Sequence, residues 1–250
     1  MDERLLVIEH EAEAGLGYFA GWLEAAGVGV EVVRPYKGEA VPATAGGGLL
    51  VLGGAAAAWD DEGYPWLPAT RDLLARAVDG GVPVLGICLG AQLMTLACGG
   101  TVERGDVGPE IGLCEIEPLP EAADDPLLSA PTGGTVPLRS EPPRSAPLRT
   151  VPLRTVQYHY DAMTTLPPGA VRLATGARYA NQAYRLGDHA WAVQFHPEAT
   201  PEIFASWAGS GELAPEAAAE LITQVTAAGR ELEQTWRPLA EAFAAQVTRL

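Results

Sequence analysis

The stretch that decides the fold is VPVLGICLGAQ, residues 82–92. It begins as an apolar run typical of a buried strand and continues into residues that favour a helix. Cys88 lies between the two, with Gly86 two residues before it and Gly90 two residues after it. A nucleophile at the tip of a sharp strand-to-helix turn needs small residues at those positions, because the neighbouring backbone passes close by. The stretch therefore predicts a thiol at the N-terminus of a helix, where the helix dipole stabilises a thiolate.

Short apolar runs and helical segments alternate along the first half of the chain. The predicted strands are residues 5–8, 28–33, 49–52 and 82–87. The predicted helices are residues 17–26, 70–79 and 92–97. Strands and helices that alternate with glycine-rich joints are typical of a mostly parallel sheet with helices on both faces. We therefore predict an α/β fold built on such a central sheet.

The second half of the chain follows a different pattern. Short runs predict strands of a small antiparallel or mixed sheet at residues 113–116, 171–174, 183–186 and 191–195. The tail, about residues 215–250, is rich in Ala and Glu and carries apolar residues at helical spacing. Because proline breaks a helix interior, Pro238 is expected to divide this tail into two closing helices.

A proline-rich segment, about residues 118–155, interrupts the second half and resembles an insertion. It contains three near-repeats of Pro-Leu-Arg followed by Ser or Thr, at residues 137–140, 147–150 and 152–155. Each proline removes a backbone donor and restricts the residue before it, so the segment cannot be helical. We expect a surface loop or a short edge hairpin; the alternative is a loop that docks a partner or covers the substrate.

Composition excludes several classes of protein. The 250 residues include 32 acidic and 16 basic side chains, a net charge of −16, which argues against binding to nucleic acid or to an anionic membrane. No apolar run is long enough to span a membrane, and the N-terminus does not resemble a signal peptide. Three cysteines and four scattered histidines have no disulfide or metal-ligand pattern, so we expect no metal, no cofactor and a cytoplasmic location.

A thiol nucleophile needs a base, and four histidines compete for that role. The strongest candidate is His196, because it ends an apolar run and precedes Pro197-Glu198. The proline turns the backbone, so Glu198 can fold back and hold one ring nitrogen while the other faces the thiol. The alternative for each histidine is a purely structural role. The other three are His10, His159 and His189.

The nucleophile also needs donors for the oxyanion that forms when a carbonyl is attacked. The N–H of Leu89, in the turn after Cys88, is one candidate. Gly54 is the second, because Gly53-Gly54 ends a predicted strand and the carboxyl ends of parallel strands share one edge. The alternative is an ordinary glycine turn.

Four segments, in this order, resemble the class I glutamine amidotransferases, the triad glutaminases, and in particular members similar to the glutaminase of GMP synthetase. The segments are LLVLGG (49–54), PVLGICLGAQLMTLACGG (83–100), YHYDAMTTLPPGAVRLATG (158–176) and WAVQFHPE (191–198). The resemblance covers about residues 4–208 and implies a flavodoxin-like glutaminase fold, with residues 1–250 as a single domain. It implies attack of a cysteine on the side-chain amide of glutamine, release of ammonia and hydrolysis of a γ-glutamyl thioester to glutamate.

The resemblance assigns roles to individual residues. It makes Cys88 the nucleophile, His196 the general base and acid, and Glu198 the group that orients His196. It places the oxyanion in a hole formed by the N–H groups of Gly54 and Leu89. The substrate-binding residues that it implies are Gln92, His159, Tyr160 and Asp161.

The sequence departs from the family at Ala55, where a proline often follows the two glycines. It also lacks a nucleotide-binding G-x-x-x-x-G-K-[ST] motif, so ammonia would be passed to a separate synthetase. Two alternatives stay open. One is a stand-alone γ-glutamyl hydrolase or peptidase that uses the same three residues, and the other is a catalytically silent binding module on the same scaffold.

Overall fold

The computed structural model describes residues 4–131 and 151–248. Its strands are β1 (Leu5–Ile8), β2 (Val30–Val33), β3 (Gly48–Val51), β4 (Val84–Ile87), β5 (Thr101–Arg104), β6 (Glu110–Pro118), β7 (Leu153–His159), β8 (Asp161–Thr165), β9 (Val171–Gly176), β10 (Ala183–Leu186) and β11 (Ala190–Val193). Its α-helices are α1 (Tyr18–Ala25), α2 (Leu67–Asp79), α3 (Leu89–Ala97), α4 (Pro201–Ala208) and α5 (Pro215–Val247).

Nine of these strands form one continuous sheet in the order β2-β1-β3-β4-β11-β10-β9-β6-β7. Neighbouring strands from β2 to β11 run parallel, whereas those from β11 to β7 run antiparallel. A second, antiparallel sheet pairs β5 with β8. The predicted α/β class, with a mostly parallel centre and a small antiparallel part, is confirmed; that residues 1–250 form a single domain stays a prediction.

The central strands are apolar along their whole length because helices cover both faces of the sheet. Along β3 and its carboxyl end, Leu50 and Leu52 contribute to one core, whereas Leu49 and Val51 contribute to the other. Helices α1, α4 and α5 pack on the first face, and α2 and α3 on the second. Each fully buried leucine contributes roughly 1.5–3 kcal/mol of transfer free energy, so both faces stabilise the strands that carry the site.

The predicted break of the C-terminal tail at Pro238 is wrong. Helix α5 runs through 33 residues and contains Pro238 in its interior. The apolar face continues on both sides of the proline, with Leu232, Trp236, Leu239 and Phe243 all buried against the core. This packing outweighs the loss of one intrahelical hydrogen bond, so the helix continues.

The proline-rich segment is only partly described, because residues 132–150 and the near-repeats at 137–140 and 147–150 lie outside the described residues. The third near-repeat enters β7, which pairs with β6 at the edge of the large sheet. The predicted strand at 113–116 is correspondingly longer, since β6 extends from Glu110 to Pro118. The role of the proline-rich segment, as a surface loop or edge hairpin or as a docking or covering loop, stays a prediction.

None of the helices in the described ranges, 4–131 and 151–248, has the length and apolar character that a membrane crossing requires.

Candidate active site

The turn between β4 and α3 holds Cys88 in a strained conformation. Cys88 has φ 48°, and no other non-glycine residue in the described chain has a positive φ. A Cβ at Gly90 would lie 2.1 Å from the Val51 carbonyl oxygen, and one at Gly86 would lie 2.7 Å from the Gly90 backbone. Both glycines are therefore required for the turn, as the sequence predicts, and strain of this kind is concentrated at functional sites.

The backbone around Cys88 anchors the turn to the sheet and to the helix. The Cys88 N–H donates to the Val193 carbonyl oxygen of β11 (2.8 Å), and the Gln92 N–H donates to the Cys88 carbonyl oxygen (2.9 Å). Cys88 is thus the N-cap of α3, with the Leu89 N–H in the first turn of the helix. The first N–H groups of a helix have no intrahelical acceptor and attract negative charge, so this position favours a thiolate and an oxyanion.

His196 and Glu198 follow β11 and form a buried pair. The His196 Nδ1 and the Glu198 Oε1 are 2.8 Å apart, and both side chains are almost completely buried. The His196 ring also packs on Trp207, with ring centroids 4.6 Å apart. Burial alone would lower the pKa of His196, but the Glu198 carboxylate and the Cys88 sulfur outweigh it and raise the pKa above its ordinary value. The surroundings of the imidazole therefore favour its protonated form.

The carboxyl end of β3 also lies beside Cys88 and His196. A Cβ added at Gly53 would lie 2.9 Å from His196 Cε1 and 3.6 Å from Cys88 Cβ. A Cβ added at Gly54 would lie 3.1 Å from Leu89 Cδ2. Only glycine fits at positions 53 and 54, because a side chain there would clash with its neighbours. The close packing brings Gly54 and Leu89, the two oxyanion donors expected from the sequence, together beside Cys88.

These residues surround a cavity of about 560 Å³, whose wall includes Cys88, His196, Gly54 and Gln92. The predicted substrate residues His159, Tyr160 and Asp161 also line this cavity. Leu89 and Glu198 do not line it, but Leu89 follows Cys88 in the chain and Glu198 is bonded to His196, and both of these partners do.

The Gln92 and His159 side chains hold the backbone of the cavity wall in place through hydrogen bonds. Gln92 Nε2 donates to the Asp161 carbonyl oxygen (3.0 Å) and to Gln194 Oε1 (3.3 Å). The His159 ring nitrogens lie 2.9 Å from the Asp161 carbonyl oxygen and 3.0 Å from Glu110 Oε2. Both side chains thus fix the turn before β8, and the backbone of that turn lines the cavity.

Sequence reasoning missed two polar residues at this site, Arg104 in the cavity wall and Gln194, which contacts Cys88 and Gln92. Arg104, at the end of β5, has its Nε 3.1 Å from Asp161 Oδ1 and its guanidinium over the Tyr160 ring. Gln194 donates to Cys88 Sγ at 3.7 Å. No local pattern marks Arg104, because its partner is contributed by a strand more than fifty residues away. Gln194 lies two residues before His196 in WAVQFHPE, and that spacing on a strand could have indicated it.

The loop after β1 supplies acidic residues that the sequence did not indicate. Glu11 and Glu13 line the cavity, as does Glu212 from the segment between α4 and α5. Ala55, where the family often has proline, donates its N–H to Glu11 Oε2 at 3.3 Å. Proline has no N–H, so this hydrogen bond between the loop and the strand end at Gly53-Gly54 depends on alanine in place of the proline that is common in the family.

In the described ranges, 4–131 and 151–248, no group of three or more His, Cys, Asp or Glu side chains could hold a metal ion.

His10 is a second buried histidine, located behind the Gly54 turn. Trp66 Nε1 donates to His10 Nδ1 at 3.0 Å, which places the His10 proton on Nε2. That Nε2 is buried and has no hydrogen-bond partner among the described residues. Burial lowers the pKa of His10 from 6.5 to about 4. His10 therefore has a structural role, as the alternative for a lone histidine proposed.

We expect His10 to make the protein less stable as the pH falls from 6.5 to about 4. Above pH 6.5 the side chain is neutral in both states; below it, the unfolded chain binds a proton that the folded chain does not, so the free energy of unfolding decreases. The loss should reach on the order of 3 kcal/mol and should disappear in His10→Gln. Urea denaturation across this range measures it, with His189→Gln as control. An unchanged pH slope in His10→Gln would contradict this assignment.

The sequence matches one known family, and the fold agrees. The family model for "Glutamine amidotransferase class-I" matches residues 20–206. The chain therefore belongs to the class I glutamine amidotransferases and is a glutamine amidotransferase enzyme. This confirms the resemblance recognised in the sequence, and it counts against a catalytically silent module.

Relatives of two kinds are similar to the chain. A GMP synthase [glutamine-hydrolyzing] of Parasynechococcus marenigrum (strain WH8102) is 32% identical over 60% of this chain and 24% of its own length. A gamma-glutamyl peptidase 4 of Arabidopsis thaliana is 30% identical over 62% of this chain and 55% of its own length. The chain thus spans about a quarter of the first relative and about half of the second.

Solved structures match over almost the whole chain. A glutamine amidotransferase of Thermotoga maritima superimposes with TM-score 0.77 at 25% identity and covers 96% of this chain and 97% of its own. A glutamine amido transferase of Methylobacillus flagellatus gives TM-score 0.79 at 27% identity, over 98% of this chain and 95% of its own.

Proposed function

We propose that the enzyme hydrolyses the side-chain amide of a γ-glutamyl substrate, glutamine being the smallest, through a thioester on Cys88. The observation that carries this proposal is the placement of Cys88, His196 and Gly54 on one cavity wall, with Glu198 bonded to His196. A nucleophile, a proton carrier and a place for an oxyanion are the three requirements of acyl transfer. The products from glutamine are glutamate and ammonia.

The reaction begins with attack of the Cys88 thiolate on the γ-carbonyl carbon. The carbon–sulfur bond forms, and the negative charge moves to the carbonyl oxygen, where the N–H groups of Gly54 and Leu89 stabilise it by about 3 kcal/mol per donor. His196, which Glu198 holds protonated, transfers a proton to the leaving nitrogen. The carbon–nitrogen bond breaks, and a γ-glutamyl thioester remains on Cys88.

Water completes the cycle. His196, now neutral, accepts a proton from a water molecule, and the resulting hydroxide attacks the thioester. The carbon–sulfur bond breaks, the sulfur leaves as thiolate, and glutamate is released. Glu198 keeps its hydrogen bond to His196 Nδ1 throughout, so the other ring nitrogen always faces the sulfur.

The α-amino and α-carboxylate groups of the glutamyl end fit the wall formed by Asp161 and Arg104. Asp161 is 7% exposed, and its buried Oδ1 has no hydrogen-bond donor among the described residues, although Arg104 Nε lies 3.1 Å away. Burial raises the pKa of Asp161. An α-ammonium group would satisfy Oδ1, and the Arg104 guanidinium would receive the α-carboxylate, so the pair recognises a free amino acid end.

The two kinds of relative support two different uses of this chemistry. In the first, the substrate is glutamine and the ammonia passes to a separate synthetase; the similarity to a glutamine-hydrolysing GMP synthase supports it. In the second, the enzyme acts alone on a larger γ-glutamyl amide; the similarity to a gamma-glutamyl peptidase and the cavity volume of about 560 Å³ support it. Cavities of roughly 300–1,000 Å³ accept ligands much larger than one amino acid.

The test is the release of glutamate by the purified protein from glutamine and from γ-glutamyl dipeptides. We expect both to be cleaved, with ammonia and glutamate in equal amounts from glutamine. Cleavage of the dipeptides alone, even with candidate synthetases present, would eliminate the first use, the supply of ammonia from glutamine to a synthetase. Release from neither substrate would contradict the proposed function.

A further inference from the structure

Gln194 is a buried polar residue beside the nucleophile, and the proposed mechanism gives it no role. It is 0% exposed and does not line the cavity. It directly follows β11, whose last residue Val193 pairs with Ile87 of β4, so Gln194 lies opposite Cys88 at the carboxyl ends of two parallel strands. Its backbone N–H donates to the Gln182 carbonyl oxygen at 2.9 Å, which fixes the chain at this point. A buried amide side chain is costly unless both of its ends are hydrogen-bonded, so the partners of Gln194 define what it does.

The hydrogen-bond partners of Gln194 determine which end of its amide faces the sulfur. The series of partners starts at the Asp161 carbonyl oxygen, which can only accept a hydrogen bond. Gln92 must therefore turn its NH₂ group towards that oxygen, at 3.0 Å. The same Gln92 Nε2 lies 3.3 Å from Gln194 Oε1, so this end of Gln194 is the acceptor. The other end, Nε2, is thereby turned towards Cys88 Sγ, to which it donates at 3.7 Å.

A donor at this position favours the ionised form of the sulfur. A thiolate only accepts hydrogen bonds, and a bond to an ionised acceptor is stronger than a bond to a neutral thiol. His196 also interacts with the Cys88 sulfur, but in the proposed mechanism it gives its proton to the leaving nitrogen. The amide of Gln194 does not titrate and keeps its protons. Gln194 is therefore a donor whose hydrogen bond is available to the sulfur both before the attack and when the thioester breaks.

We propose that Gln194 is a further catalytic residue, whose Nε2 stabilises the Cys88 thiolate by a hydrogen bond, and that Gln92 is a positioning residue, which holds the donor end of Gln194 towards the sulfur. Gln194 forms no covalent bond and transfers no proton. Gln92 acts through Gln194 Oε1, in addition to the contact with substrate that the family resemblance implies. The inference rests on the proposed thioester chemistry at Cys88 and adds the group that prepares its nucleophile.

The test measures how fast iodoacetamide alkylates Cys88 in the substrate-free protein, from about pH 5 to about pH 9, with the modified peptide identified by mass spectrometry. Gln194→Met has a similar length but no donor, whereas Gln194→Glu keeps an acceptor for Gln92 and turns an oxygen towards the sulfur. We expect the alkylation profile of Gln194→Met to move up by about one pH unit, the effect of one lost hydrogen bond to an ionised group, and that of Gln194→Glu to move further. In both variants kcat for glutamate release should decrease several-fold with little change in KM, because Gln194 does not line the cavity.

Two further variants separate the hydrogen bond from a general effect of lost packing. Gln92→Leu should move the profile in the same direction as Gln194→Met, and it should add nothing in the double variant, because it acts through Gln194. Gln157→Met removes another fully buried glutamine, whose Nε2 donates to Gln182 Oε1 at 2.7 Å. This control should reduce stability and leave the alkylation profile of Cys88 unchanged.

The outcomes separate this inference from the proposed function. An unchanged profile in the Gln194 variants, or an equal shift in Gln157→Met, would overturn the inference and leave the thioester chemistry intact. If neither Gln194 variant folds, the profile of Gln92→Leu decides in the same way. A wild-type protein that releases no glutamate from glutamine or from γ-glutamyl dipeptides would overturn the proposed function, whereas the alkylation profiles would still test the contact between Gln194 and Cys88.

Discussion

The Cys88→Ala variant is expected to lose at least about 10⁴-fold in the rate of glutamate release from glutamine while it keeps its fold. Among the described residues, neither Cys98 nor Cys114 lines the cavity, so neither thiol can take over the attack on the γ-carbonyl carbon. Removal of a nucleophile that acts together with its base costs on the order of 10⁴–10⁶-fold in related acyl-transfer sites. Alanine is smaller than cysteine, so it fits the same turn. Glutamate release and thermal unfolding measure the two parts of the prediction.

The other two cysteines are matched controls. Cys98 and Cys114 are half-buried, and burial raises the pKa of each thiol to about 11, so neither forms a thiolate near neutral pH. Cys98→Ala and Cys114→Ala should retain activity. A Cys88→Ala protein that releases glutamate at the wild-type rate would eliminate the assignment of the nucleophile, and with it the proposed mechanism.

The Gly90→Ala variant is expected to lose more than about 3 kcal/mol of stability or to fail to fold. The added Cβ would lie 2.1 Å from the Val51 carbonyl oxygen and 2.7 Å from its carbonyl carbon. These are backbone atoms of β3 that no change of side-chain rotamer can move, so the helix and the strand must separate. For a protein with a typical stability of about 5–15 kcal/mol, this is a large fraction. Equilibrium urea denaturation measures the change.

Gly21→Ala is the matched control, because Gly21 lies inside α1 and a Cβ there meets no atom within 4 Å. Alanine favours a helix over glycine, so this variant should be stabilised by about 0.5–1 kcal/mol. Equal stabilities of Gly90→Ala and the wild type would show that the close approach between α3 and β3 is not a requirement of the turn.

The central sheet could be predicted because its strands are covered on both faces. Apolar runs such as Leu5–Ile8 and Val84–Ile87 contain no polar residue. A strand needs such a run only when both of its faces are buried. The antiparallel half of the sheet was harder to predict. Strand β6 mixes buried residues with partly and fully exposed ones and carries glutamates, so the apolar pattern identified only its centre.

The C-terminal helix shows where a local rule fails. Pro238 predicts a break, because proline removes a backbone donor and clashes with the preceding turn. The local sequence does not report how much of Trp236, Leu239 and Phe243 is buried against the sheet. That contribution comes from residues distant in sequence, and it determines the outcome.

The residues of the candidate site also fall into two groups, those that the sequence reveals and those that only the fold reveals. Cys88, His196 and Glu198 could be found from the sequence because each lies in a short segment whose own chemistry is visible. Arg104 and the acidic residues of the cavity wall, Glu11, Glu13 and Glu212, could not, because their significance depends on neighbours from other elements. Glu11 acquires a role only when β1 and β3 place it beside Ala55 and His196.

The most direct test of the central claim is to trap the thioester. The protein is mixed with glutamine labelled in its carbon chain, the reaction is stopped with acid, and the label that stays with the protein is located by peptide mapping. The proposed mechanism predicts a glutamyl group on the peptide that contains Cys88, released by hydroxylamine and absent from Cys88→Ala. Label on another residue, or steady glutamate release with as much bound label in Cys88→Ala as in the wild type, would contradict it.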